Sequence, residues 1–283
     1  MRLGNHRPRR RPLMLTAACY AAALATLAVM PPAAEALPQP RTAWTGTAAT
    51  LCKPDRARRV LNSTGAVYVI RNDYFGPGDK QCITNANDWS NFTVTRSTTP
   101  RGVTDGYPYI LDGCSWGQCS PRSALPVRVS DAATISATWY ASTIATGKWN
   151  AAFDIWVMRT PHHGGQAHGA EVMIWLNERG FPAPAADRRI VRLDGVRWYF
   201  ATHLSCSHLA AHPGCWNYVL YRRVIPRDRC RRLNLGSFFA YAASRHLVSR
   251  TWWINGIEAG FEIWHGGTGL ATDWFWIQTG GTR

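Results

Sequence analysis

The sequence predicts an all-β chain, a sandwich or barrel of antiparallel strands. Three observations carry this. Short runs of β-branched and aromatic residues recur from about residue 66 to 277, turn residues interrupt them, and only one segment is spaced like a helix.

The runs cover residues 66–70, 92–95, 127–129, 134–140, 150–158 and 171–176, then 190–193, 196–200, 216–222, 254–264 and 274–277. Most mix Val, Ile, Thr, Tyr, Phe or Trp with small or polar residues, as a pleated, half-buried surface requires. Asp194-Gly195 is the pair that closes a tight hairpin. From Ser237 to Leu247, helical intervals space Phe239, Ala242, Ala243, His246 and Leu247, with Ser237 as N-cap. Such a helix would pack against the outside of one sheet. There is no linker, low-complexity tract or internal repeat, so residues 50–279 read as one domain behind a short Pro-rich leader, 37–49.

The first 36 residues read as an export signal. Arg7 to Arg11 are the positive region, Leu13 to Met30 the apolar stretch, and Ala34-Glu-Ala36 the cleavage site. The Pro31-Pro32 break and the alanine-rich stretch favour removal over lasting membrane association. Cleavage takes away five Arg and one Glu and lowers the formal charge from +15 to +11. The chain stays basic. No nucleic-acid motif accompanies its arginine clusters, which read as solvated surface on a secreted monomer. With 14 Trp and 24 Gly in 283 residues, it can bury a large core and still line a cleft with tryptophan.

Seven cysteines remain after cleavage, in an oxidising setting where disulfides form. Cys206 and Cys215 flank His208 and His212, but this C-x-H-x3-H-x2-C spacing is not a standard zinc arrangement. Pairing of the two cysteines is the simpler reading. His162, His163 and His168 lie in a Gly-rich hairpin and read as loop residues rather than metal ligands. Cys230 is the odd cysteine.

Two strand-like segments, Glu171-Val-Met-Ile-Trp-Leu176 and Glu258-Ala-Gly-Phe-Glu-Ile-Trp264, each set a carboxylate among residues suited to burial. Alternation groups Glu171 with Met173 and Trp175, and Glu262 with Trp264. Two carboxyls on aromatic-lined faces are what glycosidic bond cleavage needs. The plain alternative is two unrelated glutamates on solvated faces. Glu258 reads as structural or rim-facing, and Glu178, Asp187 and Asp194 as solvated turn residues.

These segments, with Trp149-Asn-Ala-Ala-Phe-Asp-Ile-Trp156, Tyr68-Val-Ile-Arg-Asn-Asp-Tyr-Phe-Gly76 and Gly113-Cys-Ser-Trp-Gly-Gln-Cys-Ser-Pro121, resemble glycoside hydrolase family 12, the small endo-β-1,4-glucanases. The similarity spans about residues 50–278. It implies a β-jelly-roll sandwich of two antiparallel sheets, retaining cleavage of β-glucan and no cofactor or metal. It implies Glu171 as nucleophile, Glu262 as general acid/base, and Asp154 as an acid orienting Glu171. Asn72, Phe75, Trp156, Met173 and Trp264 are the expected sugar contacts. Cys52–Cys82 and Cys114–Cys119 follow the family's positions.

The chain departs from the family where two asparagines and a sugar-stacking tryptophan are usual: here stand Asn72, Asp73 and Phe75. Ser115-Trp116 replaces His-Tyr in the small cysteine loop, and His265 replaces a Gln. These changes bear on substrate preference, so xyloglucan or mixed-linkage β-glucan is the alternative substrate. A carbohydrate-binding jelly roll without catalysis is the alternative class.

Overall fold

The computed structural model describes residues 47–54, 56–75, 80–98, 104, 106–161, 168–182, 189–207 and 214–280. The expected signal, most of the leader, and His162, His163, Asp187, His208 and His212 lie outside them. In chain order the strands are β1 (Ala49–Leu51), β2 (Arg56–Leu61), β3 (Val67–Asn72), β4 (Gln81–Asn85), β5 (Phe92–Ser97), β6 (Tyr109–Ser115), β7 (Gln118–Cys119), β8 (Val127–Arg128) and β9 (Ser136–Ser142). They continue with β10 (Lys148–Met158), β11 (Ala170–Arg179), β12 (Arg189–Leu193), β13 (Val196–Ser207), β14 (Gly214–Arg223), β15 (Arg229–Asn234), β16 (Trp253–Gly260), β17 (Ile263–His265) and β18 (Ala271–Gln278). Among the described residues one α-helix, α1 (Leu235–Ser244), lies between β15 and β16, and a 3-10 turn, Val129–Thr134, follows β8.

The strands form two sheets, as a jelly roll requires. The smaller runs β1-β4-β5-β18-β9-β15, and the larger runs β12-β13-β14-β11-β10-β16-β6-β3-β2, with β7, β8 and β17 added at its margins. Among the described strands the pairs are antiparallel except β11 with β14, which run parallel. That exception arises because the β12–β13 hairpin carries the chain outward and β14 returns into the gap beside β11.

Alternation decides what the larger sheet buries. Phe153, Ile155 and Val157 of β10, Val172 and Ile174 of β11, and Ile257 and Ala259 of β16 point into the main core with Trp139 and Phe275 of the smaller sheet. Fully burying an aliphatic or aromatic side chain contributes about 1.5–3 kcal/mol, so a one-residue slip of any of these strands is strongly disfavoured. The intervening residues are thereby forced onto the opposite, open face. Asp154, Glu171 and Glu258 are among them.

The helix differs from its expected bounds. It begins at Leu235, directly off β15, and Asn234 is its cap residue. Ser237 lies inside the first turn, where its hydroxyl bonds to the Asn234 carbonyl. Phe238 meets Trp198 and Tyr221 edge-on at 5.0 Å each, so the helix covers the larger sheet on its core side, beyond the β15 edge of the smaller one. The run expected at 254–264 is two strands, β16 and β17, with Phe261 and Glu262 between them. β1, β2, β4, β6, β7 and β15 were not legible as strands. Arginines crowd β2 and β15, and those edge strands pair through their backbones without needing an apolar face.

Three disulfides are formed: Cys52–Cys82, Cys114–Cys119 and Cys206–Cys215. The first closes the longest loop, and on the chain-entropy account contributes about 3–4 kcal/mol. Cys230 is a buried thiol, pushed up to about 12 by burial.

Candidate active site

Four carboxyl groups meet on the open face of the larger sheet. Glu171 leaves β11 opposite Trp156 of β10, and Asp154 lies two residues along β10, opposite Met173. Across the other edge of β10, Asp154 faces Glu258 of β16. Glu262 follows β16 where the chain steps toward β17, and Asn150 of β10 holds it there: the Asn150 amide donates to Glu262 Oε2, and its Oδ1 accepts the Glu262 backbone N–H at 3.2 Å. The floor between these acids is low. Gly113, Gly256, Gly260 and Ala152 share it, and a Cβ on Gly256 would lie 2.6 Å from the Cys114 carbonyl oxygen, so only glycine lets β6 and β16 approach there.

Burial dominates the electrostatics. It pushes Glu171 up to about 8, against an indole N–H from Trp216 that pulls the other way, with the Glu262 charge adding to the rise. Burial likewise lifts Glu262 to about 7, opposed by the Asn150 amide. Asp154 is driven well above the usual carboxylate range by burial and then by Glu171, Glu258 and Glu262. So many acids set this close, Asp154 and Glu258 buried and Glu171 and Glu262 half-buried, cannot all ionise; protons are retained among them near neutral pH. The two values for Glu171 and Glu262 do not separate nucleophile from acid, since the higher one falls on the expected nucleophile. Hydrogen-bond geometry does separate them. Trp216 donates to Glu171 Oε2 at 2.6 Å, and an indole can only donate, which favours the anion.

Aromatic rings flank the acids on two sides. Trp116 of the Cys114–Cys119 loop meets Trp156 at 6.2 Å, and Trp156 meets Trp216 at 6.0 Å. On the other side Trp264 packs on Phe181 at 4.8 Å and on Trp175 at 6.4 Å, with the Lys148 ammonium over both Phe181 and Trp264. Such rings offer flat apolar faces with polar edges, suited to sugar faces.

Several expected site residues are placed differently. Asn72 is fully buried, and its amide is spent on the Lys53 and Gln81 carbonyls and the Gln81 side chain. Its parity along β3 turns it away from the open face, so it ties β3 to β4 and offers nothing to a sugar. Met173 is 1% exposed and lies beneath Trp264 and Tyr218 as floor, not surface. Glu258, read as structural or rim-facing, is 2% exposed in the centre of β16, so the rim alternative falls. Glu178 is no solvated turn residue but a β11 residue paired with Arg222. Phe75, 63% exposed, stands just past β3 on the parity of Arg71 and Asp73. Trp216 was missed, though its parity with Tyr218 in the run 216–222 is readable.

A sequence model of glycosyl hydrolase family 12 matches residues 66–279. Endoglucanase S of Pectobacterium parmentieri is 30% identical over 175 residues, 59% of this chain and 64% of that protein. Among solved structures, a metagenome-derived family 12 endoglucanase superposes with a TM-score of 0.73 at 34% identity, covering 82% of this chain and 98% of that one. Endoglucanase cel12A from Rhodothermus marinus gives 0.72 at 35% identity, covering 81% and 98%. With the match extending over most of the chain and every strand of the acid-bearing face from β3 to β16 inside it, this chain belongs to glycosyl hydrolase family 12.

Proposed function

We propose that this glycoside hydrolase is a secreted, monomeric endo-β-1,4-glucanase acting with retention of configuration. The observation that carries the reading is the placement of Glu171 and Glu262 on one open face between two aromatic groups, each acid with its own donor. Glu171, kept anionic by Trp216, attacks the anomeric carbon. Glu262, with one oxygen fixed by Asn150, carries a proton on the other and delivers it to the leaving oxygen. It then takes a proton from the water that hydrolyses the glycosyl-enzyme. Asp154 orients Glu171 from the neighbouring strand.

Trp156, Trp264 and Phe75 provide stacking faces for successive sugars. Aromatic rings on both sides of the acids support attack within a polymer, because each side offers faces for sugars. Three disulfides and the N-terminal signal-like segment support export.

The test is reducing-sugar release from carboxymethyl-cellulose, barley β-glucan, xyloglucan and xylan, with Glu171→Gln as control. Release from the β-1,4-glucans that is lost in the variant while polymer binding persists supports the proposal. Release from xyloglucan alone moves the substrate to the branched polymer. Binding without release from any of the four leaves a carbohydrate-binding jelly roll.

A further inference from the structure

Glu258 is the carboxyl that this chemistry leaves without a task. It stands directly opposite Asp154 in the β10–β16 register. Opposed residues on one face bring their Cβ atoms to about 4.5–5.5 Å, close enough for two carboxyls to meet. Glu171 lies one same-face step beyond Asp154 on the next strand. Glu258, Asp154 and Glu171 thus form a line across three adjacent strands.

Glu258 Oε1 and Asp154 Oδ1 are both buried, and neither receives a hydrogen bond. Ser115 can donate to Glu258, but two ionised carboxylates can only accept, so a charged pair makes no bond between Glu258 and Asp154. The groups around Glu258 do not neutralise it. Leu111, Ser115 and Tyr109 come from β6, Arg71 and then Asp73 from β3 and its extension, Asp154 from β10 and Glu171 from β11. Arg71 is the cation of this group, and it already lies 3.6 Å from Asp73 and donates to the Tyr109 hydroxyl at 3.0 Å. Full ionisation would set Asp73, Asp154, Glu171, Glu258 and Glu262 against one guanidinium, and the buried Asp154 and Glu258 would carry a desolvation cost.

We propose that Glu258 is a positioning residue for the hydrolysis: it stays protonated and donates to Asp154, which is itself protonated and donates to Glu171. The negative charge of the three then rests on Glu171 alone. This rests on Glu171 being the nucleophile. Burial, with the charges of Asp73 and Glu171, pushes Glu258 up to about 8, against Ser115 and Arg71. Ionising Glu258 turns the donor at the far end of the line into an acceptor and disorders the nucleophile. The basic side of the pH profile therefore contains the ionisation of Glu258 beside those of Glu262 and Asp154.

Replacing Glu258 tests this. Glu258→Leu fills the space without a donor and lowers kcat about tenfold or more. Glu258→Gln restores the donor and recovers most of that loss. On the basic side log kcat/KM falls with a limiting slope one lower in Glu258→Gln than in the wild type, because the amide does not titrate. A Gln variant as impaired as Leu, or a basic limb equally steep in wild type and Gln, overturns the proposal. Infrared difference spectra near pH 6 (about the middle of the protonated range) need no turnover: the wild type shows a protonated-carboxyl C=O band that Glu258→Gln lacks. An unchanged band also overturns the proposal, whether or not Glu258→Leu folds. Wild-type protein inactive on every β-glucan removes the functional reading instead, which the infrared result does not depend on.

Discussion

The Trp216 indole N–H donates to Glu171 Oε2 across 2.6 Å, from the strand that runs parallel to the one carrying the acid. Parallel pairing sets Glu171 beside Tyr218, two residues from Trp216 on the same face, and the Trp156 ring packs on Trp216 from β10. The acid is therefore held by a ring that is itself held.

Removing that donor shifts the acid side of the pH profile. Trp216→Phe keeps the ring packing but leaves the Glu171 anion without its N–H. A hydrogen bond to a charged group contributes about 1.5–3 kcal/mol, or one to two pH units. The acid limb of kcat/KM should move to higher pH by about that much, while the basic limb stays. A profile that does not move would place Trp216 in packing alone.

Retention is read from the first product. Early hydrolysis followed by NMR should give the β-anomer. Glu171→Ala should be rescued by azide as an α-glycosyl azide, because a small anion fits where the carboxylate stood. An α-anomer formed first excludes a covalent intermediate on Glu171.

Stability should depend on pH through the buried Glu258. Unfolded, Glu258 ionises near the ordinary 4.5; folded, burial pushes it up to about 8. Between those values the folded state binds more protons, so stability falls as pH rises through the window, and the full penalty is present above it. Below 4.5 both states are protonated and no penalty applies. Glu258→Gln removes its share, on the order of a few kcal/mol. The variant's Tm should gain on the wild type as pH is raised from about 5 to 9; a constant Tm difference would count against a buried, titrating Glu258.

Phe75 tests the sugar face at the end of the site. It is exposed, so Phe75→Ala should leave Tm nearly unchanged. KM on cellotetraose should rise by a factor worth about 1–2 kcal/mol, with less effect on polymers that engage other positions. Phe75→Trp should lower KM on the short substrate. Unchanged kinetics in Phe75→Ala would remove Phe75 from the binding surface.

Local pattern determined much of this protein. Alternation in Glu171-Val-Met-Ile-Trp-Leu176 fixed which side chains face the core, because a period of two leaves each strand residue only two directions. Asp194-Gly195 determined its hairpin, since both residues sit at positive φ where few others are comfortable. The cysteines paired as their positions suggested.

Only the tertiary structure decided what depends on which strands become neighbours. Asn72 and Phe75 lie three residues apart, yet one is spent inside the sheet and the other stands in solvent. Glu258 read as structural or rim-facing because it lies four residues before Glu262, on the approach to that strand. It is buried because β10 lies against β16 and brings Asp154 opposite it, a pairing between residues 104 positions apart that no local signal encodes. Trp216 reaches Glu171 across a separation of 45. Strand order is set by the summed burial of whole sheets, so a residue's parity is readable in its own segment while its partner across the strand is not.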